Sequence, residues 1–308
     1  MLDKAAELVQ NIEQVIRGKR ETVSLAVTGL LAGGHVLLED VPGTGKTTLA
    51  RALARSVAAD FRRIQFTSDL LPSDVLGVNI YSQQKESFVF TPGPVFGNIV
   101  LADELNRSSP RTQSSLLESM NEGRVSIDGN TRDLPQPFFV IATQNPLEFE
   151  GTYPLPESQL DRFLLRLAMG YPDRDTQRAI IEDRILEDPI DRLKPIMTMQ
   201  GLLELMATVP KVRVEESLVE YLLDLVETTR QSPELAQGAS PRGALGLFRA
   251  SQAFALVQGR NFVVPDDVKF LFIPALAHRV LPAPEQDHGS GSSETILKKI
   301  LQATPVPR

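Results

Sequence analysis

Short apolar runs alternate with amphipathic stretches between residues 35 and 170. Residues 48–58, which follow the first run, repeat small and branched apolar side chains at helical spacing. Parallel strands that are buried on both faces appear as near-continuous apolar runs. Strands that alternate with helices are typical of a doubly wound sheet. We therefore predict an α/β fold with a parallel sheet between helices, whose strands include residues 35–38, 61–66, 99–102, 138–141 and 163–169.

The pattern changes after residue 173, where helical spacing replaces the short apolar runs. Residues 214–229 and 243–257 each carry apolar side chains on one helical face. Ahead of the sheet, the spacing of Leu8, Ile12 and Val15 predicts another helix. We therefore predict two domains: an α/β core with N-terminal helices over residues 1–174, and a smaller all-helical domain over residues 175–308.

Composition narrows the class of protein. The chain has 308 residues, of which 42% are hydrophobic and 23% charged, so it can bury a sizeable core. It contains no cysteine, which excludes a disulfide framework and a thiolate metal site. The net charge of -7 makes nucleic acid an unlikely partner. No apolar run reaches the ~18–20 residues of a membrane span, so we expect a cytoplasmic protein without one.

A glycine-rich segment follows the first predicted strand and opens a helix. Such a loop turns backbone N–H groups towards a phosphate at a helix N-terminus. Lys46 would reach the β- and γ-phosphates of ATP, and the Thr47 hydroxyl would bind Mg²⁺. Asp40 stands where the strict pattern has glycine, and the alternative interpretation is a glycine-rich turn with an incidental lysine. The predicted nucleotide-binding residues are Gly43, Thr44, Gly45, Lys46, Thr47 and Thr48.

Polar side chains also follow two later apolar runs. Asp103 and Glu104 come directly after one predicted strand, and Asn145 follows another. Ligands of open α/β sheets bind at the carboxyl ends of strands. We expect Asp103 to bind Mg²⁺, Glu104 to activate the attacking water and Asn145 to hold that water. The alternatives are a solvated acid pair, and an asparagine that merely forms the turn before Pro146.

Taken together, these segments resemble the MoxR family of AAA+ ATPases. The resemblance covers nearly the whole chain, and the Asp40 departure is shared with that family. It implies an α/β ATPase core, a helical lid and a nucleotide between them. The segments that carry it are residues 40–48, 103–107, 143–146, 155–163 and 238–242.

The resemblance also implies roles for two arginines. Arg162 resembles the arginine finger, which reaches the nucleotide of a neighbouring subunit. Its alternative is a surface salt bridge with Asp161 or Glu157, and Arg166 is a weaker candidate for the finger. Arg242 resembles the second sensor, which touches the γ-phosphate from the lid of the same subunit. The alternative is that Arg242 is an ordinary residue at a helix N-terminus. A cation is mildly unfavourable at that end of a helix, which favours a functional role.

Further implications concern the base, the assembly and the partner. The segment from Ile16 to Gly18 resembles the stretch that contacts adenine, mainly through its backbone. A homo-oligomer, specifically a ring of six subunits, is implied. Members of this family are linked to client proteins with von Willebrand factor A domains, so such a protein is the expected partner.

Two hairpins are predicted in addition to the central sheet. Residues 124–127 and 131–134 flank an Asp-Gly turn, which is a strong hairpin signal. Residues 79–81 and 88–90 indicate a second hairpin. In related rings such elements face the pore or the client, and edge decoration of the sheet is the alternative.

The favoured function is a chaperone-like ATPase that remodels or assembles a protein partner. Three alternatives belong to other classes. They are a DNA-acting motor or transcription activator, a metal-chelatase motor subunit, and a nucleotide-gated scaffold with little turnover. The acidic balance of the chain counts against the first, and the presence of Glu104, Asn145 and Arg162 counts against the last.

Overall fold

The centre of the protein is a parallel sheet of five strands. The structure is a computed structural model, which describes residues 2–146, 151–183, 188–284 and 292–307. The strands lie in the order β2-β5-β8-β1-β9, so the first strand in sequence sits between the last two. All five pair in parallel, and their carboxyl ends meet at one edge. Their bounds are β1 (Val36–Glu39), β2 (Phe61–Gln65), β5 (Ile99–Asp103), β8 (Phe139–Gln144) and β9 (Leu165–Leu167).

The predicted strands are confirmed, with small shifts at their ends. β1, β5 and β8 are buried almost throughout because helices cover both faces, which is why they appear as apolar runs. β2 forms one edge and exposes two arginines. The last predicted strand, 163–169, is shortened to β9 because its ends leave the ladder.

Helices precede, surround and follow the sheet. In the first part of the chain they are α1 (Leu2–Glu13), α2 (Arg20–Leu31), α3 (Lys46–Ser56), α4 (Pro72–Leu76), α5 (Pro110–Glu122) and α6 (Glu157–Leu160). The later helices are α7 (Arg174–Asp183), α8 (Pro189–Arg192), α9 (Met199–Met206), α10 (Glu216–Gln231), α11 (Pro241–Val257), α12 (Pro265–Leu276) and α13 (Ser293–Ala303). Short 3₁₀ turns lie at Pro94–Phe96, Leu105–Arg107 and Val209–Lys211.

The later part of the chain is helical, as predicted, apart from one short antiparallel pair formed by β10 (Leu235–Gln237) and β11 (Leu281–Pro282). The start of helix α11 is fixed by an N-cap and a proline. The Ser240 hydroxyl accepts a hydrogen bond from the N–H of Gly243, and Pro241 occupies the first helical turn. Within the described residues, no helix has the length and apolar character needed to span a bilayer.

Both predicted hairpins form, and each pairs only with itself. They are β3 (Gly77–Ser82) with β4 (Ser87–Pro92), and β6 (Arg124–Ile127) with β7 (Asn130–Asp133). The turn of the second has two residues, Asp128 and Gly129, both with positive φ. A hydrogen bond of 2.7 Å from the Asn79 amide to the Asp128 carboxylate joins the hairpins. Neither extends the central sheet, so the interpretation as edge decoration is not supported.

Apolar side chains fill both faces of the sheet in two clusters. One cluster lies between the sheet, α5 and the β6–β7 hairpin. The other lies on the opposite face and runs without a break from α1, α2 and α3 into helices α9 to α13. Helix α11 packs against α1 and α2, and α12 packs against β9. The C-terminal helices therefore share one core with the N-terminal helices.

Two buried histidines connect the layers of this core. His35 accepts a hydrogen bond at Nδ1 from the N–H of Val140, 3.1 Å away, so its Nε2 carries the proton that it donates to the Met120 carbonyl. Burial, assisted by the positive charge of Arg242, lowers the pKa of His35 to about 4. Burial beside Arg279 also holds the pKa of His278 well below its usual range. Both rings are therefore neutral near pH 7.

We predict that the folded protein loses stability as the pH falls from 7 to 5.5. Below pH ~6.5 the unfolded chain takes up protons on these histidines that the folded protein does not. Each depressed pKa can lower the free energy of unfolding by up to about 1.4 kcal/mol per pH unit. Urea unfolding at several pH values measures this slope. The variant His35→Asn lacks one titrating group and should show a smaller slope, whereas an unchanged slope would contradict the assignment.

Candidate functional site

A cavity of about 660 Å³ opens at the carboxyl edge of the sheet. The glycine-rich loop forms its floor. The ends of β5 and β8 form one wall, and the segment after β9 together with α7 forms another. The lining includes the predicted residues Ile16, Gly43, Thr44, Gly45, Lys46, Thr47, Thr48, Asp103, Glu104 and Asn145. The fold thus brings together residues that lie more than a hundred positions apart.

The loop has the backbone of an anion site. Gly43 and Gly45 have φ values of +84° and +96°, a region that favours glycine. Gly45 is the N-cap of α3, and no side chain caps the helix there. The N–H groups of its first turn are therefore available to an anion, and the helix dipole favours negative charge. The Lys46 ammonium lies in the loop and donates to the carbonyl oxygens of Asp40 and Val41.

Asp40 explains the departure from glycine at the start of the loop. Its buried carboxylate accepts hydrogen bonds from the N–H groups of Met169 and Gly170, at 2.8 and 2.6 Å, and from that of Val41. The residue therefore ties the loop to the segment that leads into α7. Sequence reasoning tolerated Asp40 without finding these partners, because they lie about 130 residues further along the chain.

Thr143 organises the two acidic residues. Its hydroxyl donates to Asp103 Oδ1 at 2.7 Å and accepts from the N–H of Glu104 at 2.8 Å. The other oxygen of Asp103 accepts from the guanidinium of Arg63, at 2.6 Å from Nη2. The roles of Thr143 and Arg63 are not evident from local sequence. The available signal for Arg63 was its place on the strand that neighbours Asp103.

Glu104 is held in an uncommon conformation. Its φ of +58° is left-handed, which is costly for a residue other than glycine and is typical of functional positions. One carboxylate oxygen accepts from the Gln65 amide at 2.8 Å and from Arg107 at 3.0 Å. Asn145 lines the same cavity and is 9% exposed. The acids and the amide therefore face one space, which is what water activation beside a phosphate requires.

The two residues predicted to contact the base differ in position. Ile16 lines the cavity and is buried. Gly18 is not among the lining residues. It has a φ of +68°, and a Cβ on it would lie 2.8 Å from the Thr176 hydroxyl. Gly18 therefore allows close packing against α7. The neighbouring Lys19 donates to the carbonyl of Tyr171 at 2.9 Å, which closes this wall of the cavity.

Arg162 and Arg242 lie together in a second, separate cavity of about 280 Å³. Arg162 donates to the carbonyl of Leu117 at 2.6 Å, and Arg242 donates to the Asn121 side chain. Arg249 and Arg279 line the same space. Four arginines therefore face one cavity that contains none of the phosphate-loop residues.

Arg242, expected to touch the γ-phosphate of its own subunit, lines this second cavity. It does not reach the phosphate loop of its own subunit, because α11 packs against α2 and begins beside residue 161. Arg162 likewise lines the second cavity and not the first. Its alternative partner Asp161 pairs with Arg279 instead, at 3.1 Å. The weaker finger candidate, Arg166, forms ion pairs with Glu39 and Glu294 and lines neither cavity.

Comparisons with known proteins agree with this architecture. Residues 35–165 match the family described as ATPase family associated with various cellular activities (AAA), and residues 227–300 match the AAA lid domain. The chain is 50% identical over 299 residues to the uncharacterized protein YeaC of Bacillus subtilis, covering 97% of this chain and 93% of that protein. It is 41% identical over 306 residues to Chaperone MoxR1 of Mycobacterium tuberculosis, covering 96% and 81% respectively.

A solved structure has the same fold. The crystal structure of a candidate ATPase from Cytophaga hutchinsonii superposes with a TM-score of 0.92 at 37% identity, covering 100% of this chain and 96% of that one. The parallel sheet, the helices around it and the helical lid are therefore those of an AAA ATPase.

We predict that Lys46→Ala abolishes ATP binding, whereas Glu104→Gln binds ATP and loses turnover. The lysine would contact phosphates of the bound substrate, but the glutamate would act on the water that attacks them. Isothermal titration with ATP and Mg²⁺, combined with a steady-state phosphate-release assay, separates the two effects. Lys85→Ala, at the tip of the β3–β4 hairpin, is the matched lysine control. Tight ATP binding by Lys46→Ala would contradict the assignment of this loop as the phosphate-binding site.

Proposed function

This chain belongs to the MoxR family of AAA+ ATPases, and we propose that it hydrolyses Mg²⁺-bound ATP in a site shared between two subunits in order to remodel a protein partner. The observation that supports this proposal is that the phosphate loop and the two candidate arginines line different cavities of one subunit. The phosphate loop, Asp103, Glu104 and Asn145 line one cavity, and Arg162 and Arg242 line another. In this proposal each subunit contributes the phosphate-binding residues of one site and the arginines of another, and a complete site needs two subunits.

The residues of the first cavity fit ATP and Mg²⁺. The loop supplies N–H groups and the Lys46 ammonium for the phosphates. Thr47 and Asp103 supply oxygen ligands, the type that Mg²⁺ takes alongside substrate phosphates and water. When bound, the metal ion would neutralise negative charge on the phosphates. Ile16 offers an apolar wall for the base.

Hydrolysis needs one proton acceptor and one oriented water. Glu104 accepts the proton as the water oxygen bonds to the γ-phosphorus and the bond to the β-phosphate oxygen breaks. Asn145 orients the water by a hydrogen bond. Thr143 contacts both Asp103 and Glu104 and therefore keeps the metal ligand and the base in register.

The cations of the second cavity would complete the site of a neighbouring subunit. An arginine that stabilises charge in the transition state contributes about 10³–10⁵ in rate in GTPase systems. Arg162 and Arg242 are placed for this role only if one subunit presents its second cavity to the first cavity of the next. Such a head-to-tail contact generates a ring when it closes, and we propose six members.

A protein client is the proposed target of the work. A relative is named Chaperone MoxR1, and members of this family are linked to proteins with von Willebrand factor A domains. The β3–β4 hairpin stands apart from the central sheet and exposes Ile80, Tyr81 and Phe88, the last by 72%. We propose this hairpin as the contact surface for the client. The net charge of -7 disfavours a DNA-acting motor.

We predict that Arg162→Ala and Arg242→Ala each bind ATP normally and lose hydrolysis. Mixing either variant with Lys46→Ala should restore part of the activity, because a sound pocket then meets sound arginines at some interfaces. The measurement is steady-state ATPase after subunit exchange has been confirmed. Arg166→Ala is the matched control and should stay active. If neither mixture recovers activity, the site is not shared between subunits.

We predict that Glu104→Gln, held in the ATP-bound form, retains a protein client from extracts of the native host. Lys46→Ala should retain none, since it cannot bind the nucleotide. A double variant with Tyr81→Ser and Phe88→Ser should keep ATPase activity and lose the client. Mass spectrometry identifies the retained protein. Capture that is independent of nucleotide, or capture of nucleic acid alone, would refute the proposed client function.

A further inference from the structure

The segment that follows α12 holds the backbone on both sides of Arg162 by hydrogen bonds. The Arg279 guanidinium donates from Nη2 to the carbonyl oxygens of Asp161 and Phe163, at 3.2 and 2.7 Å. Its Nε lies 3.1 Å from the Asp161 carboxylate. The preceding residue, His278, donates from Nε2 to the same Phe163 carbonyl at 2.8 Å. Two consecutive residues of the helical part therefore fix residues 161 and 163.

The grip is buried and closely fitted. Arg279 is only 8% exposed, and burial lowers the pKa of its guanidinium to about 10 although Asp161 opposes this shift. It still carries its charge near pH 7. Gly246 on α11 leaves room for it, since a Cβ at that position would lie 2.7 Å from Nη1. A buried cation loses its hydration, and here the two hydrogen bonds from Nη2 and the charge of Asp161 replace part of the lost water. Nε and Nη1 make no hydrogen bond to the described residues.

Arg162 lies between the two residues that these contacts hold. Its own side chain donates to the Leu117 carbonyl on α5, and its N–H bonds to the Gln159 carbonyl. The carbonyls of the residues before and after it are held by Arg279, which follows α12. The start of α11 adds a weaker contact, 3.5 Å from the Ser240 hydroxyl to the Asp161 carboxylate. The same helical part of the chain contributes α7 to the wall of the first cavity. It therefore touches both the nucleotide cavity and the segment that carries Arg162.

We propose that Arg279 is a positioning residue for Arg162, through which the helical part of one subunit sets the reach of that arginine towards the nucleotide of the next subunit. This inference rests on the shared site proposed above.

The test uses Arg279→Lys. A lysine keeps a positive charge in this position. It has a single nitrogen, however, and cannot place one N–H group at the two carbonyl oxygens and a second beside the Asp161 carboxylate, as the planar guanidinium does. We expect ATP affinity to stay at the wild-type value, which also shows that the protein is folded. The kcat should fall about 10- to 100-fold, the loss caused by a displacement near 1 Å. Arg260→Lys is the control, since Arg260 forms a part-buried ion pair with Asp267 in the first turn of α12.

Mixtures of variants distinguish positioning from general damage. Arg279→Lys has a sound nucleotide pocket, so mixing it with Lys46→Ala should restore activity. Mixing it with Arg162→Ala should not, because both partners then lack a correctly placed arginine. Activity in this second mixture would overturn the inference, as would full activity of Arg279→Lys alone. If Arg279→Lys fails to fold, Arg279→Gln is tested in the same two mixtures with the same expected results.

One further mixture separates this inference from the shared site itself. Arg162→Ala with Lys46→Ala must recover activity if the site is shared. If that mixture stays inactive, the proposed function fails. If that mixture recovers activity, and the mixture of Arg279→Lys with Arg162→Ala is also active, only the positioning role fails.

Discussion

The continuous apolar core on one face of the sheet is the constraint on which the site depends. It joins α1, α2 and α3 to the C-terminal helices, so α11 cannot reach the phosphate loop and lies against α2 instead. Arg242 at the start of α11 is thereby brought to Arg162, and both are kept away from Lys46. The packing of α11 against α2 therefore places the charged residues in two cavities. One contains Lys46 and is suited to bind the phosphates, and the other contains Arg162 and Arg242.

Hydrogen bonds to the backbone convert this packing into a defined geometry. Asp40 holds the amides of Met169 and Gly170 and so joins the phosphate loop to the start of α7. Arg279 and His278 hold the carbonyls that flank Arg162. The first cavity is thus tied to the segment that leads into α7, and the backbone beside Arg162 to the helical part. Such buried polar contacts are costly to break because the groups left behind would be unpaired.

Sequence reasoning found the features that depend on local patterns. The strands β1, β5 and β8 are buried on both faces and therefore have an unmistakable apolar character. The loop around Lys46 was recognisable because glycine, lysine and threonine must occur there in a fixed order. The acids after β5 followed from the rule that ligands bind at the carboxyl ends of strands.

The features that were missed depend on partners distant in sequence. No local pattern shows that Asp40 accepts hydrogen bonds from residues near 170, or that Arg63 on the next strand pairs with Asp103. The position of Arg242 was expected from a resemblance, and the helical packing overrides that expectation within one subunit. The reach of α11 is set by the whole core, which no single motif contains.

The central claim is that one subunit does not contain a complete hydrolytic site. The most direct test is the steady-state ATPase rate per subunit, measured over a wide range of protein concentration together with the mass distribution of the particles in solution. The account predicts that the rate per subunit rises in parallel with the assembled fraction and approaches zero where only monomer is present. A constant rate per subunit down to dilutions at which every particle is a monomer would contradict it.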